Sequence, residues 1–149
     1  MITVIETQKI DSQTLAQIHE KCFLEKWNAE VFKNFSAQEI FHFILAKNDE
    51  QVCGFLIFSH IIDEIEIITN CVLPEFRKKG IGKLILQNLE SHALQNSVHK
   101  IFLEVAEDNQ PAISLYQKMN FQKISYRKNY YRKEDQTFID AIMMEKKML

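Results

Sequence analysis

Val72-Leu-Pro-Glu-Phe-Arg-Lys-Lys-Gly-Ile-Gly-Lys83 is the stretch on which the fold turns. A strand pattern ends at Pro74, a basic turn follows, and Gly80 and Gly82 open a helix. That helix carries Ile81, Leu84, Ile85 and Leu89 on its predicted inner face. The two glycines let the backbone approach a ligand with its N–H groups turned outward. A helix N-terminus adds partial positive charge, so a pyrophosphate is the natural occupant. Arg77, Lys78, Lys79 and Lys83 add more. The stretch lacks the spacing and hydroxyl of a P-loop, and Ile85 stands where a dinucleotide fingerprint needs its third glycine. Taken alone, it also fits a glycine-rich helix start with solvated lysines.

Upstream, residues 2–6 alternate as a short strand. Ser12 is a candidate cap for a helix with Leu15, Ile18 and Cys22 at helical spacing, and Asn28 for one with Val31, Phe32 and Phe35. Three strands follow at 41–46, 52–62 and Glu64–Val72, joined by connections too short for crossover helices, hence sequential hairpins. Downstream, a strand at 100–105 precedes a helix capped by Asn109, with Pro111 in its first turn and Ile113, Leu115, Tyr116 and Met119 along it. Strands at 121–131 and 137–146 close the chain around a charged turn. The predicted order is β-α-α-β-β-β-α-β-α-β-β, a mixed α/β sheet that is neither doubly wound nor a barrel.

The 149 residues suit one domain, spanning 1–149, and no apolar run has the length of a membrane span. Cys22, Cys53 and Cys71 are odd in number and widely spaced, so they read as thiols in a reducing cytosol. The N-terminus has no basic leader pattern, and a cytoplasmic protein is expected. A pI near 6.2 without a contiguous basic helix argues against nucleic-acid binding. The net charge of −2 is unevenly spread. Residues 1–70 hold five basic and eleven acidic side chains, residues 71–149 thirteen and nine. The basic half suits an anionic cofactor and the acidic half a cationic substrate.

Arg77-Lys-Lys-Gly-Ile-Gly82 matches the R/Q-x-x-G-x-G/A signature of the GNAT acetyltransferases, and the element order resembles the GNAT fold from first strand to last. A second segment sharpens the likeness. Leu103-Glu-Val, Asn109, Ala112, Leu115-Tyr116 and Phe121 resemble the LEV…N…A…LY…GF block of GNAT protein N-acetyltransferases. Arg127-Lys-Asn-Tyr-Tyr131 and Asp140-Ala-Ile-Met-Met144 are similar to segments of the bacterial ribosomal-protein-alanine N-acetyltransferase family. Asn120 replaces that family's usual glycine, a change that a left-handed helix C-cap tolerates.

The resemblance implies an acetyl-CoA-dependent N-acetyltransferase without a metal, acting on a protein N-terminus such as that of a ribosomal protein. It implies Glu104 as general base and Tyr116 as general acid. Asn70, Cys71, Val72, the loop from Arg77 through Lys78, Lys79, Gly80, Ile81 and Gly82 to Lys83, and Asn109 would contact coenzyme A. Tyr130, Tyr131 and Trp27 would lie on the substrate side. An α-amine with a pKa near 7.7–8.0 is easier to deprotonate than a lysine near 10.4, so such a site favours an N-terminus.

Each residue also has a structural reading. Glu104 at a strand end is ordinarily paired or solvated, Tyr116 on an apolar helix face is ordinarily core, and Asn109 is a helix cap by physics. Tyr130 and Tyr131 fit strand-end aromatics packing on opposite faces. Trp27, followed by Asn28, fits a core residue. Asp63, Glu64 and Glu66 fit a charged hairpin turn, though they could draw in a cationic peptide. His19, His42, His60, His92 and His99 show no ligand spacing and receive no role. A GNAT enzyme for small amines and a non-catalytic acetyl-CoA-binding module are the competing functions. The Asn129-Tyr-Tyr131 element favours a protein substrate, and the presence of both Glu104 and Tyr116 favours catalysis.

Overall fold

The computed structural model describes residues 1–148. Its elements are β1 (Ile2–Thr7), α1 (Ser12–Cys22), α2 (Ala29–Ser36), β2 (Phe41–Asn48), β3 (Gln51–Ile61) and β4 (Glu64–Val72). A 3-10 turn at Pro74–Phe76 leads to α3 (Ile81–Gln95), β5 (Lys100–Ala106), α4 (Gln110–Lys118), β6 (Gln122–Arg132) and β7 (Phe138–Lys147). The predicted order of strands and helices holds throughout. One seven-stranded sheet runs β1-β2-β3-β4-β5-β7-β6. Each neighbouring pair is antiparallel except β4 and β5, which α3 joins as a crossover. β7 inserts between β5 and β6, which leaves β6 an exposed edge, while Ala141, Ile142 and Met144 of β7 are buried.

Two apolar clusters sandwich the sheet. On one face Ile81, Ile85 and Leu89 of α3 and Ile113 and Tyr116 of α4 pack on Ile65, Ile67, Ile101 and Leu103. On the other, Leu15 and Ile18 of α1 and Phe32 of α2 cover Phe43, Phe55 and Ile57. Phe32 and Phe55 meet edge to face with ring centres 5.7 Å apart. Burying each such ring contributes about 1.5–3 kcal/mol.

Two sequence expectations need correction. Asp11, not Ser12, caps α1: its extended backbone lets the carboxylate accept the Gln13 and Thr14 amides. Leu84 does not join the inner face of α3; it is 41% exposed, because Ile81, Ile85 and Leu89 define a stripe that passes beside it.

The feature that positions the site is a bulge in β4. Its register with β3 slips where Ile57 and Phe58 meet Thr69 and Ile67, leaving Ile68 as the extra residue. Before the slip, Ile65 and Ile67 face the α3–α4 cluster. After it, Cys71 faces the α1–α2 cluster and Val72 the α3–α4 cluster. Strict alternation would have placed Asn70 toward α1 and α2; the bulge turns it toward α4 instead.

Candidate active site

β4 and β5 pair only over Glu64–Ile67 and Lys100–Leu103, so beyond Ile67 they part into a slot. Asn70 and Glu104 stand on its two walls. Asn70, re-aimed by the bulge, donates from Nδ2 to the Tyr116 hydroxyl of α4 at 3.3 Å. Tyr116 is buried, and burial pushes its hydroxyl's pKa above the ordinary phenol range, with the Asn70 hydrogen bond opposing. The phenol therefore keeps its proton at neutral pH. Asn70 Oδ1 is buried with no hydrogen-bond partner among the described residues. An orphaned acceptor of that kind costs about 1–3 kcal/mol, so it fits a site that receives a donor from a ligand.

Glu104 lies on the opposite face of β5 from Leu103 and Val105. Arg127 of β6 reaches it, with Nη2 2.8 Å from Oε1. The Arg127 guanidinium also sits 4.6 Å from the centre of the Tyr130 ring. β6 slips against β7 between Arg127 and Tyr131, and Asn129 there has φ 53°, its amide held by Asp140 Oδ1 at 2.9 Å. This irregularity brings Tyr130 and Tyr131 edge to face at 4.9 Å, rather than onto opposite faces as plain alternation would. Burial first, then the Glu104 charge, pushes the Tyr131 hydroxyl up to about 12. Glu66 shares the face of Glu104. It is mid-strand and half-buried, not part of a solvated turn, and burial, then Glu104, raises its carboxyl's pKa.

The glycine loop meets the open end of the slot. α1, α2 and α4 are capped by Asp11, Asn28 and Asn109, but no side chain caps α3. Its N-cap is Gly80, left-handed at φ 81°, with nothing within 4 Å of where a Cβ would stand. The bare amides and open approach suit a pyrophosphate. Gly82 differs: a Cβ there would lie 2.9 Å from Leu115 Cδ2, so this glycine lets α3 and α4 touch. Lys78 also takes a positive φ, 61°, and Lys79 lies 5.5 Å from the Phe76 ring centre. Arg77 turns back, Nε donating to the Val72 carbonyl at 2.9 Å, where the Cys22 thiol also donates at 3.6 Å. A hydrogen bond with Cys71 brings the Cys22 thiol down to about 7.

The profile of the acetyltransferase (GNAT) family matches residues 12–121, more than half of the chain. The chain belongs to that family. Among curated relatives, the [ribosomal protein bS18]-alanine N-acetyltransferase of Haemophilus influenzae is 30% identical over 123 residues, 83% of either chain. The crystal structure of the ribosomal-protein-S18-alanine N-acetyltransferase from Escherichia coli superposes with a TM-score of 0.92 at 24% identity, covering 99% of this chain and 94% of that one. Arabidopsis thaliana NAA60 in complex with acetyl-CoA gives 0.88 at 19% identity, covering 99% and 98%. As a GNAT acetyltransferase the protein takes acetyl-CoA as its co-substrate. The slot, the uncapped α3 and the orphaned Asn70 oxygen fit that molecule.

Sequence reasoning assigned Glu104, Tyr116, Asn70 and the loop to one site; Asn70 and Tyr116 meet through their hydrogen bond, Glu104 stands on the facing strand β5, and the loop leads from the end of β4 into α3. Trp27 stacks 4.4 Å from the His19 ring and packs on Phe32 and Phe35 within the α1–α2 layer. Arg127 was missed as a site residue, and Glu66 was read with Asp63 and Glu64 as a charged turn that could draw in a cationic peptide. Arg127 stood inside the quoted RKNYY segment, but its pairing depends on strand order. The histidines do have neighbours. His92 Nδ1 lies 2.8 Å from Glu6 Oε1, and His92 Nε2 3.0 Å from His60 Nδ1, beside His42. No residue spacing announces this group, because β1, β2, β3 and α3 each supply one member.

Proposed function

We propose that this GNAT protein transfers the acetyl group of acetyl-CoA to the α-amine of a protein N-terminus, the alanine of a ribosomal protein, acting in the cytoplasm as one domain over residues 1–149. The observation that carries the reading is the Arg127–Glu104 pair under Tyr130 and Tyr131 at the mouth of the slot, opposite the Tyr116 hydroxyl. The relatives' named substrate supports alanine as the acceptor residue.

Bound acetyl-CoA supplies a thioester, whose acyl carbon is open to attack by a neutral amine and whose sulfur leaves as a thiolate. The α3 amides from Ile81 to Lys83, with Lys78, Lys79 and Lys83, neutralise the pyrophosphate. Asn70, Cys71 and Val72 line the slot from β4, and Asn109 borders it from the α4 cap. Asn70 Oδ1 accepts a donor there. Glu104 takes the amine's proton: Arg127 occupies Oε1, and Oε2 has no protein partner among the described residues. Tyr116, kept protonated by burial, gives its proton to the departing sulfur. Tyr130 and Tyr131 offer hydroxyls to an extended peptide backbone.

Mass spectrometry of a reaction with acetyl-CoA tests the assignment. An Ala-starting peptide gains one acetyl group on its α-amine, while an N-terminally blocked, lysine-containing analogue gains none. Spermidine or an aminoglycoside turning over faster than every Ala-starting peptide would overturn the protein substrate. Intact ribosomal proteins from cells with and without this gene identify the target by an acetyl mass difference.

A further inference from the structure

Glu66 has no role in the chemistry so far, yet its surroundings are unusual. Its neighbours in the acidic pattern each have a basic partner: Glu64 and Glu145 share Lys100 at 3.5 and 3.8 Å, and Glu104 pairs with Arg127. Glu66, half-buried in mid-strand, makes no salt bridge and no side-chain hydrogen bond among the described residues. Its parallel register partner on β5 is Phe102, so Glu104 is the next β5 residue on the same face. The two carboxylates act on each other there: the Glu104 charge adds to burial in raising the Glu66 carboxyl's pKa, with the Arg127 guanidinium opposing. A carboxylate so placed, facing another and without a protein cation of its own, costs stability in the empty protein.

Charge counting gives that cost a purpose. Glu104 and Arg127 alone make a neutral pair, and a neutral site would not draw an ammonium ion out of water. With Glu66 the cluster carries one net negative charge, matching the one positive charge of a peptide α-ammonium. Resting on the protein N-terminus reading above, we propose that Glu66 is a specificity-determining residue, which with Glu104 receives the α-ammonium of the incoming chain. Arg127 leaves Glu66 as the uncancelled charge. Acetylation removes the cation, so the same carboxylate holds a substrate end and releases a product end. Blocked or acidic N-termini are excluded by the same balance.

The test uses the full chain saturated with coenzyme A, which carries no acetyl group and permits no turnover. Calorimetry compares an Ala-starting peptide with its counterpart bearing a propionyl group in place of alanyl, identical but for the amine. The wild-type protein binds the amine-bearing peptide more tightly. In Glu66→Gln that preference shrinks on the order of tenfold, the loss of one charge-assisted contact. Coenzyme A affinity is unchanged, the melting temperature does not fall, and Glu66→Asp, which keeps the charge, retains most of the preference. An unchanged preference in Glu66→Gln, equal weakening of both peptides, or an equal loss in Glu66→Asp would overturn the proposal while leaving the substrate reading intact. A wild-type protein that takes neither peptide removes both.

Discussion

Arg127 of the edge strand β6 reaches over β7 to place its guanidinium 2.8 Å from the Glu104 carboxylate of β5. The pair ties the exposed β6–β7 hairpin to the slot, and Tyr130 lies against the same guanidinium. Arg127→Gln removes the charge that orients Glu104 but adds no bulk. We expect kcat to fall roughly tenfold, as for a misoriented base, with no rise in the peptide KM. A KM increase with normal kcat would make Arg127 a peptide-binding group instead.

The proton-transfer roles predict a different signature. Glu104→Gln and Tyr116→Phe each lower kcat by roughly 10²–10⁴-fold and leave acetyl-CoA affinity nearly unchanged. Wild-type turnover in both variants would leave positioning as the whole mechanism.

Gly82 is constrained by its neighbour. Gly82→Val drives a branched side chain into Leu115 and lowers the stability of the ligand-free protein by about 1–3 kcal/mol. Adding Leu115→Ala makes room and recovers part of that loss, a coupling that chemical denaturation of both single variants and the double variant measures. Simple additivity would show that the two residues do not meet.

His19 sets a pH limit on stability. It is 2% exposed, stacked on Trp27, and burial lowers its pKa from 6.5 to about 4. The unfolded chain therefore takes up the proton first as pH falls. The stabilisation is complete above 6.5 and is lost on acidification toward 4, by about 2 kcal/mol between pH 7 and pH 5. His19→Phe keeps the aromatic stack and removes the titrating group. Urea midpoints should fall less with pH in that variant than in wild type; parallel falls would assign the effect elsewhere.

What the sequence made legible was local. Pro74 and Gly80 mark the end of a strand and the start of α3, Asn109 and Pro111 mark α4, and Glu104 and Tyr116 keep the spacing of their family motif. The left-handed Asn120, φ 70°, also follows from its place after a helix. Residues whose roles depend on distant register were hidden. One extra residue, Ile68, reverses the side on which Asn70 emerges, and the strand pattern contains no mark of it. The insertion of β7 between β5 and β6 decides that Arg127 meets Glu104, although 23 positions apart they look unrelated. At Gly82 the letter carries a second message that the sequence could not separate from the first: a Cβ there would meet Leu115 of α4.

The short β4–β5 ladder makes the sheet two rafts, β1 to β4 and β5 to β7, moored along one end of a common seam. Past the mooring, the facing backbone donors and acceptors of the seam lie open, and an extended amide-bearing ligand can occupy that berth as a borrowed strand. Acetyl-CoA seated there would be a temporary structural member as well as a reactant, and the amides of β4 and β5 beyond the mooring should exchange more slowly in its presence.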